Sequence, residues 1–135
     1  MFKLTRNLKI FAAVALVATV AFHWTLSWLL TEQLYVWIWP LAGVYCVTMF
    51  FNGLLNGRQE DAFLSRADFS FSYHLMTYII VVPVWLPFIL TRPTVDASAR
   101  LGEGLGMLGW GVGLLIHYFV SRHSIKGYSR DEVFD

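Results

Sequence analysis

The chain has 135 residues and a formal net charge of +1, and only 14% of its residues are charged while 57% are hydrophobic. Soluble domains usually carry about a quarter charged residues, so this composition predicts that lipid replaces water around most of the chain. The near-neutral charge argues against nucleic-acid binding, which depends on a basic patch. The single cysteine, Cys46, excludes an internal disulfide, and in its apolar surroundings we expect an inert packing thiol.

Four apolar segments of roughly 20 residues, the length that crosses a bilayer as a helix, follow one another along the chain. Their apolar residues run continuously rather than alternating, which favours helices over strands. The first segment follows three basic residues, as a signal core does, but its longer apolar run favours an uncleaved anchor. We predict an all-α integral membrane protein whose four transmembrane helices form two antiparallel helical hairpins. The segments are residues 10–30, 34–55, 73–90 and 101–120.

Lysine and arginine are distributed unevenly between the two sides of these predicted spans. Eight lie before the first span, between the second and third, or after the fourth, whereas only Arg92 and Arg100 lie on the other side. Because such residues accumulate in the cytoplasm, we predict a multi-pass protein of a bacterial inner membrane with both termini cytoplasmic. The chain then divides into a first hairpin (1–57), a cytoplasmic loop (58–72), a second hairpin (73–121) and a cytoplasmic tail (122–135).

All six tryptophans fall in the half of the predicted bilayer that faces away from the cytoplasm. Indole rings favour the membrane interface, so we interpret them as an outer aromatic belt. A belt on one side only is less usual, and the alternative is an aromatic surface that meets a partner or a lipid-like ligand. The residues are Trp24, Trp28, Trp37, Trp39, Trp85 and Trp110.

Four glycines of the fourth span are spaced by four, three and four residues, which places them on one side of a helix. A smooth face of this kind lets another backbone approach closely in lipid. We expect a helix-packing face against the third span or against another chain, and the same spacing continues to His117. The glycines are Gly102, Gly106, Gly109 and Gly113.

Three prolines interrupt the predicted spans. Pro83 and Pro87 lie inside the third span, where each removes a backbone N–H and crowds the preceding turn. We expect both to bend that helix, and we expect Pro40 to bend the second span near its outer end.

Ionisable residues are rare inside a bilayer, which makes His74 and His117 candidate site residues. They should lie at similar depth near the cytoplasmic ends of two adjacent antiparallel helices. Facing imidazoles there could share a proton, sense a ligand, or hold a divalent metal or the iron of haem b. A structural pair of hydrogen-bonding histidines is the alternative. His23, near the opposite side, is expected to point outward to the interface.

The sequence contains no arrangement typical of an enzyme active site. No phosphate-binding loop, nucleophile elbow or HExxH motif occurs. Acidic residues cluster in the predicted loop, as Glu60 and Asp61, and at the end of the tail, where such groups are usually solvated. We therefore predict no catalytic residue, no enzyme activity and no cofactor.

Two short motifs stand out in the second half of the chain. His74-Leu75-x-x-Tyr78 opens the third span, and Trp110-Gly111-Val112-Gly113-Leu114-x-x-His117 lies in the fourth. On these motifs, residues 73–123 resemble the small bacterial two-transmembrane-helix (2TM) domain family. They depart from it near Val82, where the family usually has an asparagine. The resemblance implies a small membrane module, alone or beside signalling domains, and it implies no enzymatic activity.

The first half is similar to a degenerate copy of the second. Trp37-Ile38-Trp39-Pro40-Leu41-Ala42-Gly43 resembles the run that often precedes the family's second motif. Placing Gly43 opposite Gly109 leaves apolar residues, Leu8 and Phe51, at the two histidine positions. Each half would then be one hairpin, and the two halves would be parallel repeats.

These observations favour a non-enzymatic small membrane module that acts as an accessory, scaffold or sensory subunit in signalling. We expect it to lie in membrane lipid, as a monomer or homo-oligomer, and to bind a membrane-protein or cytoplasmic partner. Arg122, Lys126 and Arg130 are the expected docking residues. Two alternatives are a redox membrane anchor that holds haem b between His74 and His117, and a small transport subunit.

Overall fold

The computed structural model describes residues 4–60, 66–91 and 97–124, with only the backbone described for 59–60, 66–70, 99 and 120–124. These ranges are helical and contain no strand, so the all-α prediction is confirmed for them. A short 3-10 turn, Tyr35–Trp37, precedes the second helix. The helices are α1 (Arg6–Thr31), α2 (Ile38–Glu60), α3 (Arg66–Thr91) and α4 (Ala97–Ser124).

Three stretches within the described residues are long and apolar enough to cross a membrane: Arg6–Thr31, Tyr35–Arg58 and Phe71–Thr91. The fourth predicted span is not among them, although α4 has 28 residues. Six glycines between Gly102 and Gly113, together with Glu103, lower its apolar content. α4 is therefore long enough to cross a membrane but less apolar than the other three helices, and its role as a span stays a prediction.

The connections between the helices differ from the predicted ones in length. The predicted 58–72 loop is shorter, because α2 continues to Glu60 and α3 begins at Arg66, and residues 61–65 lie outside the described ranges. Between α1 and α2, the amide of Leu34 donates to the Leu29 carbonyl at 2.8 Å, and Gln33 adopts a left-handed φ of 57°. This short link turns the chain back along α1.

The prolines take two different positions. Pro40 is the third residue of α2, in the first turn, where proline is tolerated, so the expectation that it bends the second span stays a prediction. Pro83 and Pro87 do lie inside α3. Each removes the donor for the carbonyl four residues earlier, which leaves Ile79 and Pro83 without that helical hydrogen bond.

The four helices lie side by side in the order α2, α1, α3, α4. In the described residues, α1 packs against both α2 and α3, and α2 and α3 also touch. α4 packs against α3 and makes no comparable contact with the described parts of α1 or α2. The ring of Phe11 meets Tyr73, and His23 meets Trp85, so α1 and α3 run parallel. The predicted pair of antiparallel hairpins is therefore present, but the hairpins form an open row rather than a closed bundle. Their descent from one repeat stays a prediction.

Small and polar residues join α1 to α2. Ala15 and Thr19 are fully buried on α1, which allows a close approach of the two helices. The hydroxyls of Thr19 and Tyr45 lie 3.0 Å apart, and the Asn52 side chain donates to the Phe11 carbonyl at 3.0 Å. Cys46 lies exposed on α2, so the expectation of a packing thiol is wrong.

A different set of residues joins α3 to α4. Met107 and Leu114 are buried there, and the Tyr78 hydroxyl donates to the Met107 carbonyl at 3.4 Å. Gly111 lies directly against Tyr78, because a Cβ atom at Gly111 would sit 2.9 Å from the Tyr78 hydroxyl oxygen. One glycine therefore sets the distance between these two helices.

The predicted glycine face does not pack against α3. A Cβ atom at any of its four positions would find nothing within 4 Å. The reason is helical geometry, since at 100° per residue these positions lie on the side of α4 opposite Gly111. The glycines concerned are Gly102, Gly106, Gly109 and Gly113.

Gly109→Ala and Gly111→Ala should change stability in opposite directions. Alanine at position 109 enters open space and should stabilise the helix by about 0.5–1 kcal/mol, the usual gain over glycine. Alanine at position 111 meets Tyr78 and should destabilise by about 1–3 kcal/mol, as overpacking does. Reversible unfolding in mixed micelles measures both, and equal effects of the two substitutions would contradict this α3–α4 interface.

Candidate functional site

The two candidate histidines lie side by side at the junction of α3 and α4. His74 is the ninth residue of α3, and His117 lies seven residues before the end of α4, so the antiparallel arrangement brings them to the same level. Their Nδ1 atoms are 3.4 Å apart, and their ring centroids are 5.3 Å apart at an angle of 58°. One ring can therefore donate and the other accept, provided that the two carry different tautomers.

Aromatic and polar side chains surround this pair. Phe71 meets His117 edge-on at 6.0 Å between ring centroids and also contacts Tyr118. On its other side, His74 lines a cleft of about 400 Å³ together with Tyr73 and Thr77. The His74 side chain is exposed, so it remains accessible from this cleft.

The distance between the imidazoles limits what they can hold. Nitrogens that lie about 2.0–2.1 Å from one tetrahedral ion are roughly 3.4 Å apart, whereas ligands on opposite sides of an ion are about 4 Å apart. The observed 3.4 Å therefore resembles two ligands of one tetrahedral ion. No group of three or more metal-ligating side chains occurs among the residues described. Haem b does not fit between the rings as they stand, because the porphyrin would have to lie in this gap.

Five of the six tryptophans gather at one end of the molecule, where α1 and α3 end and α2 begins. We call it the tryptophan end, and its members are Trp24, Trp28, Trp37, Trp39 and Trp85. The first four are between 52% and 81% exposed, as a belt requires. Trp110 is the exception, because it meets Tyr78 at mid-length of both helices, with 5.4 Å between ring centroids. Trp110 therefore does not lie with the other five tryptophans, as the outer-belt prediction required.

His23 points into the protein rather than outward. Its side chain is only 7% exposed, and its ring contacts Trp85 and Phe88 of α3. The outward orientation expected from the sequence is therefore wrong. Ala15, Thr19 and His23 follow one another at four-residue spacing and share the buried face of α1, and that pattern was the available signal.

Buried polar residues in apolar segments were also missed. Thr19 and Asn52 are both buried and hydrogen-bonded across α1 and α2. A polar residue inside an apolar segment usually finds such a partner, which would have identified both.

Of the three expected docking residues, only Arg122 belongs to the part of the chain that the structure describes. Arg122 lies on α4, but its side chain is not described. Lys126 and Arg130 lie outside the described residues, as does the rest of the tail beyond Ser124. The docking role of these three residues stays a prediction.

No protein-family model, no curated protein and no solved structure matches this chain. The resemblance of residues 73–123 to the 2TM domain family thus stays a prediction. Function has to be argued from the geometry of the helices themselves.

The two histidines should be energetically coupled. A hydrogen bond between neutral groups contributes about 0.5–1.5 kcal/mol. The double variant His74→Ala/His117→Ala should therefore lose about that much less stability than the sum of the losses in the two single variants. The measurement is reversible unfolding of the four proteins of the cycle. A second cycle, His74→Ala with Leu115→Ala, is the control, because Leu115 is 59% exposed. Strict additivity in the histidine cycle would contradict the contact.

Proposed function

We propose that this chain is a non-enzymatic, multi-pass module of a bacterial inner membrane, acting as an accessory or sensory subunit that binds a partner helix through α4. The membrane part of the proposal is supported by the three apolar helices long enough to cross a bilayer. The orientation, with both termini cytoplasmic, is supported by the distribution of lysine and arginine.

One observation carries the partner part of the proposal: the outer face of α4 is a row of glycines against which no other described residue packs. The row runs from Gly102 to Gly113, which is about 17 Å along a helix. Leu101, Leu105 and Leu108 beside it are between 58% and 66% exposed. In lipid, helices associate where small residues permit close backbone contact. We therefore name this face, with its four glycines, the α4 glycine face, and assign it to a membrane helix of another protein.

The rest of the described chain offers little to an enzymatic alternative. The side chains with acid–base chemistry that come together there are His74 and His117, and no described carboxylate accompanies them. One imidazole lies on the proposed docking helix α4 and the other on α3, so a movement of α4 would change their separation. This arrangement suits a sensory role better than catalysis.

The proposed threading predicts which positions react with a membrane-impermeant thiol reagent on intact cells. In a Cys46→Ser background, Gln33→Cys at the tryptophan end should be labelled, because it lies in the external connection. Arg58→Cys should react only after the membrane is opened. Labelling of Arg58→Cys in intact cells, with Gln33→Cys protected, would reverse the orientation.

The α4 glycine face is tested by photo-crosslinking in native membranes, with a photoreactive amino acid at Leu108. We expect a discrete adduct in the wild-type background. Gly106→Leu combined with Gly109→Leu should reduce it at least about tenfold, or about 1.4 kcal/mol of association, since the added side chains keep a partner helix away.

Gly43→Leu is the matched control, because Gly43 is also a helical glycine with nothing within 4 Å but lies on α2. It should leave the adduct unchanged. An adduct of twice the protomer mass would identify a second copy as the occupant instead of another protein. An adduct that survives the double substitution, or no discrete adduct at all, would refute docking at this face.

A further inference from the structure

A second cleft lies between the last turns of α1 and α3, at the tryptophan end. It is open on one side and has a volume of about 530 Å³, within the range of small-molecule sites. Its walls include an imidazole, two indoles, a phenyl ring and hydroxyl groups. The residues that matter here are His23, Trp24, Ser27, Trp28, Phe88 and Thr91.

Flat rings form much of the wall. The His23 and Phe88 rings lie 4.8 Å apart between centroids, and Trp24 and Trp28 border the same space. Trp24 is 79% exposed, so this side of the cleft opens to the surroundings of the protein. Ring faces of this kind favour a flat conjugated ligand, because aromatic groups stack against one another.

Hydroxyl groups lie toward the helix ends. The Thr31 hydroxyl donates to the Ser27 carbonyl at 2.9 Å, and the Thr91 hydroxyl donates to the Pro87 carbonyl at 2.8 Å. Both threonine oxygens therefore keep lone pairs for accepting a hydrogen bond. The Ser27 hydroxyl makes no hydrogen bond to another described residue, and it can still donate.

Among the described residues, no aspartate, glutamate, lysine or arginine side chain lines the cleft. A phosphate or carboxylate headgroup buried there would lack a compensating cation, which is costly in an apolar site. The described lining therefore favours an uncharged group over the headgroup of an anionic phospholipid or the carboxylate of a fatty acid. The chemistry that fits this lining is an uncharged ring that carries oxygen atoms.

We propose that this cleft binds a ring-headed neutral lipid of the quinone class. The ring lies against His23 and Phe88, a ring carbonyl accepts from the Ser27 hydroxyl, and the reduced form donates to the threonine oxygens. The apolar tail leaves past Val20, which lines the cleft and is 46% exposed. Binding alone is proposed, without electron transfer, and it does not depend on the partner of α4.

The test is quenching of tryptophan fluorescence by a benzoquinone that carries a ten-carbon chain, titrated into purified full-length protein in micelles. Val20→Phe fills the cleft. Val17→Phe is the matched control, because Val17 is on the same helix, does not line the cleft and is 69% exposed. We expect saturable quenching in wild type and Val17→Phe, and a Kd at least tenfold higher in Val20→Phe.

Ser27→Ala provides a milder change that guards against a folding defect. It should raise the Kd severalfold while the melting temperature without ligand stays that of wild type. A ten-carbon alcohol without the ring should not compete. Quenching that is linear and equal in all four proteins would overturn the proposal, and so would equal competition by the alcohol or by phosphatidylglycerol, which would indicate a site for alkyl chains.

Discussion

The close packing of α1 between α2 and α3 is the constraint on which the rest of the structure depends. Ala15 and Thr19 are fully buried, and their small side chains let the neighbouring helices approach α1 closely. In the proposed membrane location, burial of apolar surface between helices supplies little driving force. Contact of this kind and the hydrogen bonds of Thr19 and Asn52 would then hold the helices together. Because α1 occupies the centre, α2 and α3 are placed on either side of it, and α4, as far as the chain is described, packs closely against α3 alone.

This arrangement separates two chemically different regions. Parallel packing of α1 and α3 brings Phe11 to Tyr73 near one end and His23 to Trp85 near the other. The imidazoles of His74 and His117 belong to the first end and lie at the edge of α4. The aromatic cleft belongs to the second and involves α1 and α3 only. The proposed partner site on α4 and the proposed quinone site between α1 and α3 therefore use different helices.

Much of the fold follows from the sequence because continuous apolar runs permit few structures other than helices. The proximity of His74 to His117 was predictable for a related reason, since antiparallel neighbours place residues at matching distances from their connection at one level. The error about His23 has a different origin. Distance along a helix sets the depth of a side chain, but only the neighbouring helices decide whether its face is covered. The glycines of α4 make the same point, because their spacing defines a face without naming its partner.

In the part of the chain that the structure describes, α4 packs closely against α3 alone, so it is attached to the other helices along one side. The α3–α4 interface includes the contact of Gly111 with Tyr78 and the pair of imidazoles, whereas α1, α2 and α3 contact one another. A force applied to the outer face of α4 would act on the α3–α4 interface before it reached the rest of the protein. A shift of α4 along or away from α3 would therefore change the separation of the two imidazoles without breaking a described contact of α1.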